Sequence, residues 1–85
     1  MIEKNIVLKN ETGFHARPAS VFVKCATGFK SEVFLIKDNA EHNGKSIMGL
    51  LSMGAGMGTE LVLRVEGEDE EQAVEQLLKV LDEMQ

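Results

Sequence analysis

The chain has 85 residues, which is enough for one small hydrophobic core, so we expect a single domain over residues 1–85. Hydrophobic residues make up 44% and charged residues 27% of the chain, a composition that argues against a disordered or fibrous protein. The longest segment without a charged residue, Ser46 to Thr59, is shorter than the roughly 20 apolar residues of a membrane-spanning helix. We therefore expect no membrane insertion.

The charge and the cysteine content limit the classes of partner and cofactor that we expect for the protein. The net charge of −5 argues against nucleic acid as a direct partner. The segment from Thr12 to Thr59 nevertheless contains more basic than acidic residues, so we expect it to face an acidic partner or a phosphate. The single cysteine, Cys25, has no metal-binding spacing around it, and the charged N-terminus does not resemble a signal peptide. We expect a cytoplasmic protein without a metal or a cofactor.

The first third of the chain predicts a strand followed by a helix. Ile2, Ile6 and Leu8 share one face of a period-two pattern, to which Lys4 is the exception, and this pattern predicts a strand that ends at Asn10. Apolar residues at helical spacing then predict a helix from about Ala16 to Thr27. The residues of this apolar stripe are Ala19, Phe22, Val23 and Ala26.

The middle of the chain predicts a hairpin and a short helix. Val33–Ile36 is a β-rich apolar run, and Asp38-Asn39 offers a tight turn before a weaker extended segment at Ala40–Asn43. Ser46 then stands where a helix N-cap belongs, ahead of a helix of about two turns from Ile47 to Met53.

The last third predicts a strand and a helix. Leu61, Leu63 and Val65 alternate with residues that are charged except for one valine, which indicates a strand with one solvated face. The alternating residues are Glu60, Val62, Arg64 and Glu66. Helical spacing from Asp69 nearly to Met84 predicts the final helix. The order β-α-β-β-α-β-α favours a two-layer α+β fold, with an antiparallel sheet that is solvated on one face and covered by helices on the other.

The segment Gly13–Ala19 carries the most informative chemistry. It places His15 at the predicted N-cap of the first helix, with Arg17 and Pro18 in the first turn, and Gly28 is placed to end the helix in a left-handed conformation. Free backbone N–H groups, the helix dipole and the guanidinium favour an anion at this point. The same environment favours a neutral imidazole, so we expect His15 to be a nucleophile toward a phosphoryl group. The alternative is an ordinary polar histidine at a helix start.

A second feature is the predicted helix from Ile47 to Met53, which is apolar on almost every side. If Leu50 and Met53 point inward, Ile47, Met48 and Leu51 form an exposed docking patch. In the alternative, Ile47, Leu50 and Leu51 form the core face, and only Met48 is exposed.

Ser46 has a structural and a regulatory interpretation. A serine at an N-cap is ordinary and usually only structural. A phosphoryl group at this position would be compatible with the helix end, and it would change the charge of the neighbouring docking surface. Phosphorylation of Ser46 would then switch binding.

The motifs GFHARPAS and NGKSIMGLLSMG, with the length and the order of elements, strongly resemble HPr, the histidine-containing phosphocarrier family of the bacterial sugar phosphotransferase system. The resemblance covers the whole chain. It implies that His15 accepts a phosphoryl group on Nδ1 from enzyme I, which is charged by phosphoenolpyruvate, and passes it to enzyme II A components of sugar permeases. It implies that Arg17 stabilises the phosphohistidine, with Ala16 and Pro18 supporting the helix turn. The implied fold is an open-faced β-sandwich with sheet order 1-4-2-3 and three helices on one face.

The resemblance also implies regulation and docking. Ser46 is similar to the serine that HPr kinase/phosphorylase modifies in relatives from Gram-positive bacteria, where the product acts with a catabolite-control repressor. Two departures lie beside this region: Met57, where relatives often carry a basic residue, and Gly44, where they carry an apolar one. The residues that we expect to dock partners are Phe14, Ser20, Lys24, Lys45, Ile47, Met48 and Leu51.

Two other functions fit the pattern. One is a paralogue of the same fold that serves a nitrogen-related branch or acts mainly as a corepressor through Ser46. The other is a ferredoxin-like interaction module without phosphoryl chemistry. Whichever function holds, we expect the chain to be a monomer.

Overall fold

The computed structural model describes residues 1–84, and it contains the seven elements in the predicted order. No helix within these residues is long and apolar enough to cross a membrane. The elements are β1 (Ile2–Val7), α1 (Ala16–Thr27), β2 (Glu32–Lys37), β3 (Ala40–Asn43), α2 (Ile47–Leu51), β4 (Glu60–Glu66) and α3 (Glu70–Glu83).

The four strands form one antiparallel sheet in the order β1-β4-β2-β3, which confirms the expected topology. The three helices form the second layer of an open-faced sandwich. Along β4 the side chains of Leu61, Leu63 and Val65 are buried in the core, whereas Val62 and Arg64 lie half-buried on the open face. The alternation in the sequence therefore marks the two faces of the sheet correctly.

The hairpin between β2 and β3 is confirmed. Asp38 and Asn39 both have left-handed backbones, with φ of 51° and 67°. This pair of positive angles is typical of a type I′ turn, whose twist matches that of the strands. Aspartate and asparagine tolerate this conformation better than most residues, which is why the turn could be predicted.

The first strand is shorter than expected, because it ends at Val7 rather than at Asn10. After Val7 the chain leaves the ladder and bonds to the segment before β4. The Leu8 N–H donates to the Thr59 carbonyl at 3.0 Å, and the Leu8 carbonyl accepts from the Gly58 N–H at 2.7 Å. This pairing directs the following loop toward the start of α1.

Two helix ends also differ from the prediction. The helix α2 ends at Leu51, because the N–H groups of Met53 and Gly54 bond only three residues back, at 3.2 and 3.3 Å. The prediction of a left-handed Gly28 is wrong: its φ is −75°, and its N–H donates to the Cys25 carbonyl at 3.1 Å. The chain therefore leaves α1 by a right-handed turn.

Asp69 joins the start of α3 to the start of β2. Its carboxylate accepts hydrogen bonds from the Lys30 and Ser31 N–H groups, each at 2.9 Å, and from the Ser31 hydroxyl. The Ser31 hydroxyl and then the Lys30 N–H lower the pKa of Asp69 below its ordinary 3.8. A carboxyl with a lowered pKa stabilises the fold above its unfolded pKa and loses this contribution as the pH falls through the folded value.

We predict that Asp69→Asn destabilises the protein at pH 7, and that the difference from the wild type shrinks as the pH falls below about 4. The amide cannot ionise, so the variant lacks this part of the acid dependence. Urea unfolding of both proteins from pH 7 to pH 2 measures the difference. A difference that stays constant over this range would contradict the assignment.

Candidate functional site

His15 is the N-cap residue of α1, as the sequence predicts. Its backbone is extended, with φ of −102° and ψ of −172°, and its carbonyl accepts the first helical bond from the Ala19 N–H at 3.0 Å. The His15 ring is exposed and makes no hydrogen bond with any of residues 1–84. No hydrogen-bond partner within residues 1–84 therefore competes with a reactant for the ring nitrogens.

The first turn of α1 supplies donors beside this ring. The backbone N–H groups of Ala16 and Arg17 have no intrahelical acceptor, as is general for a first turn. Pro18 lacks an N–H, so its buried ring occupies a position where no donor is lost. The Arg17 side chain is exposed and makes no ion pair within the described chain. This end of the helix can accept a phosphate through backbone donors and a guanidinium.

His15 and Arg17 line a cleft of about 340 Å³. The sequence pattern did not identify Asn10, Val80 or Glu83 as parts of this site, because the turn before α1 and the end of α3 meet only in the folded chain. Glu83 brings a carboxylate to a cleft that otherwise attracts anions. The lining residues are Asn10, Thr12, His15, Arg17, Pro18, Val21, Val80, Glu83 and Met84.

The loop before His15 rests against the glycine-rich segment before β4. Gly13 has a φ of +61°, and a Cβ built on it would lie 2.2 Å from the Ala55 carbonyl oxygen and 2.5 Å from the Gly56 Cα. The Phe14 N–H donates to the same Ala55 carbonyl at 2.9 Å. Only glycine fits this approach, which fixes the backbone immediately before His15.

The expectation that Phe14 docks partners is wrong. Its side chain is only 5% exposed, and its ring meets Phe22 edge to face with 5.6 Å between centroids. Burial of an aromatic ring in such a contact stabilises the fold more than exposure of the ring to water. Phe14 is therefore part of the core that holds the loop.

The exposed patch on α2 is confirmed. Leu50 is fully buried and Met53 is 5% exposed, whereas Ile47, Met48 and Leu51 are 40%, 76% and 37% exposed. The alternative that places Ile47 and Leu51 in the core is wrong. We call these three exposed side chains the α2 patch; its role in docking stays a prediction.

The other expected docking residues have different surroundings. Ser20 and Lys24 are exposed on α1. Lys45 is half-buried, and its ammonium donates to the Phe29 carbonyl at 2.7 Å, so part of its function is structural. Met57, which the sequence marked as a departure, is 63% exposed and adds apolar surface.

Ser46 caps α2. The Ser46 Oγ accepts a hydrogen bond from the Gly49 N–H at 3.0 Å, and Ser46 is half-buried.

The neighbouring Gly44 has no room for a side chain, since an added Cβ would lie 2.5 Å from Val33 Cγ1. No group of three or more potential ligands for a metal ion occurs within residues 1–84.

Comparison with known proteins gives the family. Residues 2–83 match PTS-HPr, described as "PTS HPr component phosphorylation site". The HPr-like protein Crh of Halalkalibacterium halodurans is 45% identical over 96% of this chain and 98% of its own length.

Two solved structures show the same fold. HPr-C-His from Thermoanaerobacter tengcongensis superposes with a TM-score of 0.92 at 45% identity, over 96% of this chain and 92% of that chain. Crh of Bacillus subtilis, described as a dimer with a swapping domain, gives 0.78 at 44% identity, over 98% and 95%.

An open-faced sandwich with an exposed histidine at the start of its first helix belongs to the class of histidine phosphocarriers. The chain belongs to the HPr family of the phosphotransferase system. Members of this family are not enzymes; they carry a phosphohistidine as an intermediate in phosphoryl transfer.

Proposed function

We propose that this chain carries a phosphoryl group on His15, from enzyme I to the enzyme II A components of sugar permeases. The observation that carries the proposal is the exposed imidazole at the N-terminus of α1, which has no hydrogen-bond partner within residues 1–84. Enzyme I is itself charged by phosphoenolpyruvate, so the proposal places the protein in the cytoplasm.

The transfer proceeds by attack of the ring. The lone pair of His15 Nδ1 forms a bond to phosphorus as the bond between phosphorus and the donor group breaks, and the bonding electrons leave with the donor. The Nε2 proton stays on the ring. The transferred group meets the N–H groups of Ala16 and Arg17 and the Arg17 guanidinium, which offset its negative charge. Transfer to an A component is the same step in reverse, with the acceptor as the nucleophile.

The α2 patch and the exposed residues of α1 provide the docking surface in this proposal. Met48 and Ile47 offer apolar area, and methionine adapts its shape to more than one partner. Ser20 and Lys24 lie on the helix that carries His15, so a partner bound there reaches the ring. One surface would then serve enzyme I and its acceptors in turn.

We predict that the wild-type chain gains one phosphoryl group on incubation with enzyme I and phosphoenolpyruvate, and that His15→Ala gains none. The phosphoramidate bond should break in mild acid, unlike a serine phosphate. Intact-mass spectrometry before and after acid treatment measures both properties. His42→Ala is the matched control, because His42 lies on β3 outside the cleft and its removal should leave the mass gain unchanged.

Ser46 is the proposed regulatory site, modified by HPr kinase/phosphorylase with ATP. A phosphate on Ser46 would add nearly two negative charges beside the α2 patch. The modified protein would act with a catabolite-control repressor. The 44% identity to Crh, which is described as the catabolite repression HPr of Bacillus subtilis, favours a role in catabolite control in addition to phosphoryl transfer.

We predict that Ser46→Asp slows phosphorylation by enzyme I and leaves stability close to that of the wild type. Aspartate is as good an N-cap as serine, whereas Ser46→Ala loses the bond to Gly49 and should cost about 1 kcal/mol. Transfer rates and urea unfolding of the three proteins test both parts. Equal transfer rates for Ser46→Asp and the wild type would refute the regulatory proposal.

We propose that the chain works as a monomer, although a related structure is described as a dimer. The strand β1 pairs along Ile2–Val7 with β4 of its own chain, and the Met1 ammonium bonds Glu70 at 3.0 Å. Sedimentation equilibrium at micromolar concentration should therefore give a mass near 9.4 kDa. A species of about twice this mass would show that copies associate or exchange a segment.

A further inference from the structure

The side chain of Asn10 closes the turn that leads to His15. Its Nδ2 donates to the Gly13 carbonyl at 2.8 Å, and the Gly13 N–H donates to the Asn10 carbonyl at 3.1 Å. Asn10 also lines the cleft beside the His15 ring. The turn and the phosphoryl site therefore share this residue.

The orientation of the Asn10 amide follows from its partner. A carbonyl oxygen needs a donor, so only the nitrogen can face Gly13. This orientation leaves the Asn10 Oδ1 buried, with no hydrogen-bond partner among the described residues. An unsatisfied buried oxygen costs free energy, so its presence calls for an explanation, and a role in a functional site is one such explanation. Stability of the turn alone is a weak reason for asparagine here.

The Gly13 carbonyl links this amide to His15. The His15 N–H donates to the same oxygen at 3.2 Å, so Asn10 Nδ2 and His15 N share one acceptor. The Phe14 N–H is bonded on the other side to Ala55 at 2.9 Å. Since the His15 ring makes no hydrogen bond of its own with residues 1–84, the backbone, which fixes the direction of the Cα–Cβ bond, sets the region that the ring can reach.

We propose that Asn10 is a positioning residue for phosphoryl transfer: its amide holds the Gly13 carbonyl and thereby the backbone from which the His15 ring enters the cleft. The proposal rests on the proposed carrier function of His15. It differs from a purely structural role because it predicts a slower transfer step in a protein that remains folded.

The principal variant is Asn10→Leu, which keeps the shape of the side chain, removes the donor and also removes the unsatisfied oxygen. Replacing a polar group by an apolar one of the same shape can be nearly neutral for stability. Asn10→Ala is the second variant. Asn5→Ala is the matched control, because Asn5 is exposed on β1 and lies outside the cleft.

Rapid-quench phosphorylation by phosphorylated enzyme I separates the maximal rate from the half-saturating concentration. Both Asn10 variants should lower the maximal rate by roughly two- to tenfold, the factor that one hydrogen bond supplies. The half-saturating concentration should not change, because the α2 patch is intact. An unchanged maximal rate, or a change confined to the half-saturating concentration, would overturn the proposal.

Nuclear magnetic resonance tests the same proposal without enzyme I. In the wild type, the side-chain amide protons of Asn10 should exchange with solvent more slowly than those of Asn5. The ring ¹⁵N shifts of His15 should change in Asn10→Leu and stay the same in Asn5→Ala. Fast exchange at Asn10, or unchanged ring shifts in Asn10→Leu, would overturn the positioning role. If an active enzyme I fails to phosphorylate the wild type, the carrier function fails, and these spectra still decide the role of Asn10.

Discussion

The approach of Gly13 to the loop before β4 is the constraint on which the site depends. No side chain fits between the Gly13 Cα and the Ala55 carbonyl, so two backbone segments lie in direct contact. The bond from the Phe14 N–H to Ala55 and the buried Phe14 ring secure this contact. His15 follows at once, and its exposed ring therefore projects from a rigid base, which reduces the reorganisation that transfer requires.

The free N–H groups in the first turns of α1 and α2 have different partners. At His15 the N-cap side chain does not satisfy the first turn, and the N–H groups of Ala16 and Arg17 are left for a phosphate. At Ser46 the hydroxyl caps its own helix through Gly49. The uncapped first turn of α1 suits a group that binds and is then released. The bond to Gly49 makes the Ser46 hydroxyl part of the fold.

The cleft combines attraction and repulsion. Arg17 and the helix N-terminus favour an anion, whereas Glu83 places a carboxylate in the same cleft. A carrier has to release its phosphoryl group to the next protein, so moderate stabilisation serves it better than tight binding. Glu83, near the end of α3, thus contributes a negative charge to the cleft that also contains His15 and Arg17.

The sequence by itself determined the element order, the start of α1 at His15, the Asp38-Asn39 turn and the apolar stripes, because these follow from local propensity and periodicity. The sequence also identified the two motifs GFHARPAS and NGKSIMGLLSMG. The tertiary structure alone decided that Phe14 is core, that Leu51 is exposed and that Asn10 and Glu83 reach the cleft. These depend on which distant segments meet: no local pattern encodes a contact between a turn near residue 10 and the end of a helix near residue 83.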